Sequence, residues 1–260
     1  MSGSGKGLQV VVPHSGLLIP AEIDPESLSP RFPALARNID WYTDRLYDFR
    51  DLLGCRLSVF PYCSLILEAN RHPGRLDDCV PLRDVHGEAV YKPGREPGRE
   101  LRRALAARYL RPFHRALGDA IAAGGEFLLD GHSTVPARGV AENGIDIMNF
   151  QHSPLEDGPL RFSPAAFAEA YADELRRRLP EARVTVNASE YFHVYGHVAA
   201  AHSADSFVRV GRRVPALVQE TSERLYTNAE HAPDLRAIDR LRRAFARSLD
   251  AALAGVGRGG

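Results

Sequence analysis

Two histidines, each just beyond a run of apolar residues, are the first sign of chemistry in this sequence. Leu8-Gln9-Val10-Val11-Val12 runs into Pro13-His14-Ser15-Gly16, and Phe127-Leu128-Leu129 runs into Asp130-Gly131-His132-Ser133. A short apolar run closed by a polar cluster reads as a buried strand that delivers side chains to the mouth of a sheet. Asn70-Arg71 follows a further such segment, and Glu220 follows the run from Val214 to Val218. Two neutral imidazoles with one carboxylate suit a catalytic zinc ion whose fourth position is left to water. Zinc lowers the pKa of that water to about 7. A carboxylate that does not bind the metal must then take the water's proton and pass it to a leaving nitrogen, and an arginine can grip a substrate carboxylate by a bidentate pair. The chain offers residue types for each of these roles at strand ends or helix starts. It has no HExxH, no P-loop, no GxGxxG after a strand and no GxSxG elbow.

The elements that must position these residues alternate between strand and helix. Residues 8–12 form the first strand, and 13–30 carry too many prolines for a long helix. Residues 39–53 show helical spacing through Trp41, Leu46, Phe49 and Leu53, which would set Asp40 and Asp44 on one face near the helix start. Residues 56–67 read as one or two strands broken near Pro61, and 72–98 as a loop that could wall a pocket. A strong helix spans 100–123, with a kink or break expected near Pro112. The Asp130 strand follows, then loop-like sequence to 159 holding a short strand at 145–148. A helix over 164–179 with Ser163 as its N-cap comes next. Strands at 184–186 and 215–219 and a last helix over 234–254 complete the chain. This alternation predicts an α/β fold with a central, mostly parallel mixed sheet and helices on both faces, its site beyond the carboxyl ends of the strands.

Composition narrows the classes. With 260 residues, 44% hydrophobic and 25% charged, the chain can bury one large core, and a single domain over 8–254 is expected. Lys plus Arg and Asp plus Glu balance at 33 each, which offers no field for nucleic acid or an anionic membrane. No apolar run nears the ~20 residues that span a bilayer. Residues 1–7 lack an apolar h-region and read as a flexible leader with no secretion signal, and 255–260 as a frayed end. The three cysteines, Cys55, Cys63 and Cys79, have no CxxC spacing and read as reduced thiols of a cytoplasmic protein.

Six short motifs occur in a familiar order: Pro13-His14-Ser15-Gly16; the run from Asp40 through Trp41 to Phe49; Asn70-Arg71; Arg108-Tyr109-Leu110-Arg111-Pro112-Phe113-His114; Asp130-Gly131-His132-Ser133; and Gln219-Glu220 with Leu225-Tyr226. Together they make residues 8–228 resemble the N-formylglutamate amidohydrolase family, zinc-dependent relatives of the carboxypeptidase and aspartoacylase fold. The resemblance implies a zinc-carboxypeptidase-like (phosphorylase/hydrolase-like) scaffold, one Zn²⁺ and hydrolysis of a small N-acyl amino acid such as N-formylglutamate. Carried over by motif, His14 and His132 look like zinc ligands, Asp40 is the carboxylate ligand with Glu22 and Asp44 in reserve, and Glu220 matches the general base. Asn70 and Arg71 match the pair that holds the substrate carboxylate. Asp130 and Ser133 are expected to orient the ligands from behind, and Arg138, just after that loop, to touch substrate. Three departures stand out: Glu68 where the family's DLNR has Asp, Gly131 in the middle of Asp-Gly-His, and 195–203 in place of a Gly-Gly-Tyr-Ile-Thr segment. His193, His197 and His202 have spacings that suit neither one helix face nor one strand face. Arg111 to His114 reads as packing. Two other readings use the same scaffold: a carboxypeptidase-like metallopeptidase and a non-catalytic ligand-binding protein.

Overall fold

The structure, a computed structural model, describes residues 7–136, 139–152, 159–190 and 198–256. Six strands build the main sheet: β1 (Leu8–Val12), β2 (Arg56–Val59), β3 (Phe127–Thr134), β4 (Gly144–Met148), β7 (Arg183–Val186) and β8 (Ala216–Ser222), in the order β2-β1-β3-β8-β4-β7. β2, β1, β3 and β8 run parallel, β4 is antiparallel to β8, and β7 is parallel to β4. The sheet is therefore mixed and mostly parallel, as the alternation of elements required. β5 (Phe150–His152) and β6 (Pro159–Arg161) pair as a separate ribbon.

Alternate residues of the strands face opposite sides. Val10, Val12, Leu129, Ile145 and Leu217 pack against α2 (Ala165–Arg178) and α4 (Leu235–Val256) through Phe167, Tyr171, Phe245 and Leu249. Val11, Leu128, Met148 and Val218 pack on the other side, against Leu117 and Ile121 of α1 (99–122) and Val198 of α3 (Val198–Val210). Burial on both faces explains why these strands read as continuous apolar runs. A third apolar cluster, with Ile39, Phe60, Leu67, Val90, Tyr91 and Leu105, sets the segments between β1 and α1 over one end of the sheet.

Several local expectations are corrected. The helix expected over 39–53 is two single turns, Thr43–Leu46 and Arg50–Leu53, and Tyr42 before the first has φ 60°. A left-handed residue cannot continue a helix, so Asp40 lies in the approach to the turn and shares no helix face with Asp44. Pro112 does not end α1, which runs on through it to Ala122. The turn before it, Ala106–Leu110, widens to π-helical geometry, which relieves the clash of a proline ring with the preceding turn while keeping the helix continuous. Ser163 does not cap α2: Pro164 occupies that position, with no side-chain cap, and the Ser163 carbonyl accepts from Asn149 Nδ2 at 2.9 Å. β8 runs through Glu220 to Ser222, where the strand was expected to stop at 219. α4 continues to Val256. The helix over 198–210 has no counterpart in the sequence reading.

Gly131 has a packing reason. A Cβ there would stand 2.6 Å from the ring of Tyr47. That ring is fully buried and stacked on Phe245 at 5.8 Å, and its hydroxyl donates to the His132 carbonyl at 2.9 Å and contacts Thr221 Oγ1 at 2.9 Å. Because the ring is held on several sides, Gly131→Ala is expected to destabilise the protein by about 1–3 kcal/mol, read as a lower urea midpoint. An unchanged midpoint would show that Tyr47 moves freely.

Candidate functional site

His14 lies two residues past the last residue of β1, in a turn pressed against 60–62. Phe60 N donates to Val12 O at 3.0 Å and Leu18 N to Pro61 O at 3.0 Å. A Cβ on Gly16 would stand 2.3 Å from the Pro61 carbonyl carbon, so the close approach of these backbones needs glycine. His132 sits within β3, paired in register with Glu220 on the parallel neighbour β8. Asp40 arrives from extended chain at Ile39, and its backbone carbonyl accepts from Thr43 Oγ1 at 2.9 Å. Tyr226 Oη donates to the next carbonyl, that of Trp41, at 3.0 Å.

These supports bring His14, Asp40 and His132 together, one donor atom of each lying within 4.8 Å of the others. Asp40 Oδ2 is 3.2 Å from His132 Nδ1, 3.5 Å from His14 Nδ1 and 3.1 Å from the Ser133 amide that donates to it. The imidazole centroids are 4.9 Å apart. Each ring turns its far nitrogen to another carboxylate: His14 Nε2 to Glu68 Oε1 at 2.7 Å, and His132 Nε2 to Asp130 Oδ1 at 2.9 Å. Carboxylates behind imidazoles fix the tautomer and orientation of metal-ligating histidines. Both Nδ1 atoms consequently converge on one point beside Asp40.

The electrostatics follow from burial among opposite charges. Burial opposes protonation of His14, but Glu68 and Asp40 outweigh it and raise its pKa to about 9. Burial alone would lift the Glu68 carboxyl, yet His14 beside it brings it down to about 2. Asp40, also desolvated, is held well below the carboxylate range by His132 and His14, and His132 is pushed well above its usual value by Asp130 and Asp40 against its own burial. Glu220 goes the other way: desolvation, with Asp40 adding to it and His132 opposing, lifts it to about 8. A cavity of about 400 Å³ opens over this group, lined also by Asn70, Arg71 and Glu220, a size that suits a small metabolite.

Of the residues singled out in the sequence, His14, Asp40, His132, Asn70, Arg71, Ser133 and Glu220 line this cavity, and Asp130 stands behind His132. Arg138, His193 and His197 lie outside the described residues. Glu22 is bound instead to Arg108 and Tyr109, at 2.8 Å each, and Asp44 lines a separate surface depression with Arg45 and Arg242. The reserve candidates thus fall outside the group. Glu68 was visible only as an odd letter before Asn70; its oxygen accepts from both His14 and the Asn70 amide, each at 2.7 Å. Residues 198–203 of the divergent segment open α3, whose first amide, Val198 N, donates to Asn70 Oδ1 at 2.6 Å. His202 is buried on α3 with its ring stacked on His114, its Nε2 3.1 Å from His114 Nδ1, so this histidine packs and does not join the His14 group.

The fold and this histidine–carboxylate centre define the class, an α/β protein with a His/Asp/His group at the end of a mixed sheet. The chain belongs to the N-formylglutamate amidohydrolase family, whose model matches residues 8–227. It is 27% identical over 138 residues to N-formylglutamate deformylase of Pseudomonas aeruginosa, covering 48% of this chain and 51% of that protein. It is 26% identical over 117 residues to the deformylase of Pseudomonas putida, covering 42% and 43%. The match thus spans about half the length of these curated relatives or less. Among solved structures, N-formylglutamate amidohydrolase from Ralstonia eutropha superimposes with a TM-score of 0.70 at 18% identity, covering 100% of this chain and 97% of that one. A protein of Agrobacterium tumefaciens gives 0.64 at 18%, covering 97% and 92%. Those two likenesses establish the fold.

The His14 pKa carries a pH signature for protein stripped of metal by a chelator. A raised imidazole pKa adds stability that is full below the ordinary value of 6.5 and fades as pH climbs through about 9. Glu68→Gln removes a principal cause of that shift. The stability gap between the native sequence and this variant, measured by urea unfolding, should therefore be clear at pH 7 and shrink above about pH 9. A gap independent of pH would disprove the pairing.

Proposed function

We propose that this protein hydrolyses the amide of a small N-acyl amino acid, N-formylglutamate being the best candidate, with one zinc ion held by His14, Asp40 and His132. The observation that carries the reading is the convergence of two Nδ1 atoms and Asp40 Oδ2 beneath a cavity, in a chain of the N-formylglutamate amidohydrolase family. The donor set fits the metal: two imidazoles and one carboxylate, His14 partly and Asp40 and His132 fully buried, all three lining the cavity. Bound zinc supplies a Lewis acid for the amide carbonyl and a water of lowered pKa. Glu220, in register with His132, takes a proton from the attacking water and returns it to the departing nitrogen. The desolvation that lifts its pKa to about 8 suits a group that must both accept and donate near neutrality. Arg71 holds the substrate's α-carboxylate by its guanidinium. Asn70 lines the same wall and shares in holding that carboxylate; its side-chain carbonyl is fixed by the first amide of α3, and its backbone carbonyl accepts from Arg71 Nη1 at 3.0 Å.

The partner implied is a small molecule, and balanced charge gives no support to nucleic acid or membrane binding. Among the described residues no helix is long and apolar enough to cross a membrane. All three cysteines are free and buried, which supports a reducing, cytoplasmic setting.

Glu220→Gln should lower turnover of N-formylglutamate by about 10²–10⁴-fold while zinc stoichiometry, measured by elemental analysis, stays unchanged. Normal turnover in that variant would remove the mechanism. Glu68→Gln should weaken zinc about 10–100-fold in competition with a chromophoric chelator, because His14 loses its orienting carboxylate. A panel of N-formyl, N-acetyl and dipeptide substrates separates deformylation from a peptidase activity, and tight binding without turnover of any of them would favour a non-catalytic protein.

A further inference from the structure

The cavity is unevenly furnished in charge. Apart from Glu220, which the proposed reaction uses, the carboxylates that line it are engaged within the protein: Asp77 with Arg102 at 2.8 Å, Asp78 with Arg75 at 2.6 Å, Glu223 with His231 at 3.1 Å. Asp84 Oδ1 accepts the amides of His86 and Glu88 at 2.9 and 2.8 Å, and Asp40 and Glu68 belong to the histidine group. Three guanidiniums line the same space, those of Arg37, Arg71 and Arg83. Among the described residues none of the three is in an ion pair. A cavity whose acids other than Glu220 are engaged internally, and whose three arginines have no acidic partner among the described residues, suits an anion with more than one negative group.

Arg71 accounts for one substrate carboxylate in the proposed reaction, which leaves a second cation to explain. Arg83 is the better organised of the remaining two. It lies in a hairpin closed by Val90 N to Leu82 O at 3.1 Å and Asp84 N to Glu88 O at 2.9 Å, with Gly87 at φ 83° making the turn. Its Nη1 donates across that turn to Gly87 O at 2.7 Å, so the guanidinium is pinned at one corner while its other N–H groups remain for a ligand. Arg37 and Arg83 are both exposed, but the Arg37 side chain makes no hydrogen bond among the described residues. A pinned guanidinium loses less conformational freedom on binding an anion than a free one.

We propose that Arg83 is the specificity-determining residue that binds the side-chain carboxylate of the substrate, so that this site selects N-acylated dicarboxylic amino acids over neutral ones of the same shape. The inference rests on the amide-hydrolysis reading above and adds to it the residue that recognises the second carboxylate.

The test compares zinc-loaded native protein, Arg83→Gln and Arg83→Lys on N-formylglutamate and on N-formylglutamine, which differ only in the charged end of the side chain. Arg83→Gln should lower kcat/KM for N-formylglutamate by about 10–100-fold, through KM with kcat little changed, and leave N-formylglutamine unaffected. Arg83→Lys should recover part of the loss. An equal fall on both substrates, or no fall on N-formylglutamate, overturns the assignment. Should the native protein hydrolyse neither substrate, the reaction reading fails by itself, and calorimetric binding of N-formylglutamate decides the role of Arg83. Binding weakened by the same factor in Arg83→Gln supports it; equal binding, or none to either protein, overturns it.

Discussion

The burial of several carboxylates around two imidazoles is the constraint on which the rest of this structure depends. Asp40, Glu68 and Asp130 all stand within hydrogen-bonding reach of a histidine nitrogen, and Asp40 touches both rings. Carboxylates removed from water need compensating positive charge and donors. Without metal, protons on His14 and His132 meet that need, which is why both imidazole pKa values rise. A divalent cation held by these residues would carry the same total charge as those two protons, so exchange of protons for metal would leave the local balance intact.

The sheet brings the members of this group together. β1 and β3 are adjacent and parallel, so their carboxyl ends lie side by side, and β8 next to β3 sets Glu220 level with His132. Asp40 is different: no strand carries it. It is placed by the left-handed turn at Tyr42, by Thr43 and by Tyr226 bonding to the Trp41 carbonyl, and so its position depends on contacts 185 residues away in the chain. Tyr47 links the same region to the strands, filling the space left by Gly131 and bonding to the His132 carbonyl.

Much of the framework was legible in the residues because its causes are local. Apolar runs such as Leu8–Val12, bounded by prolines and glycines, can only be strands buried on both faces, and the stripe from Leu105 to Ile121 can only be a helix lying on them. Where reading failed, two local signals competed. The spacing of Trp41, Leu46, Phe49 and Leu53 is helical, but the chain turns at Tyr42 to deliver Asp40 inward, and the demand of the site prevailed over propensity. Pro112 signalled a break, yet packing kept α1 whole through a widened turn. α3 escaped notice because its histidines and serines dilute its apolar face, and His202 finds its reason only in His114, 88 residues earlier.

The sequence by itself determined where the main buried strands lie, the identity of the chemically capable residues and the balanced charge, since residue type and short-range periodicity suffice for these. Tertiary structure alone decided which carboxylates face which imidazole nitrogens, that Glu68 shares in the group, that Glu22 and Asp44 do not, and which arginines have no acidic partner among the described residues. Those facts depend on distances between residues far apart in the chain, and such distances exist only once the sheet has closed around its core.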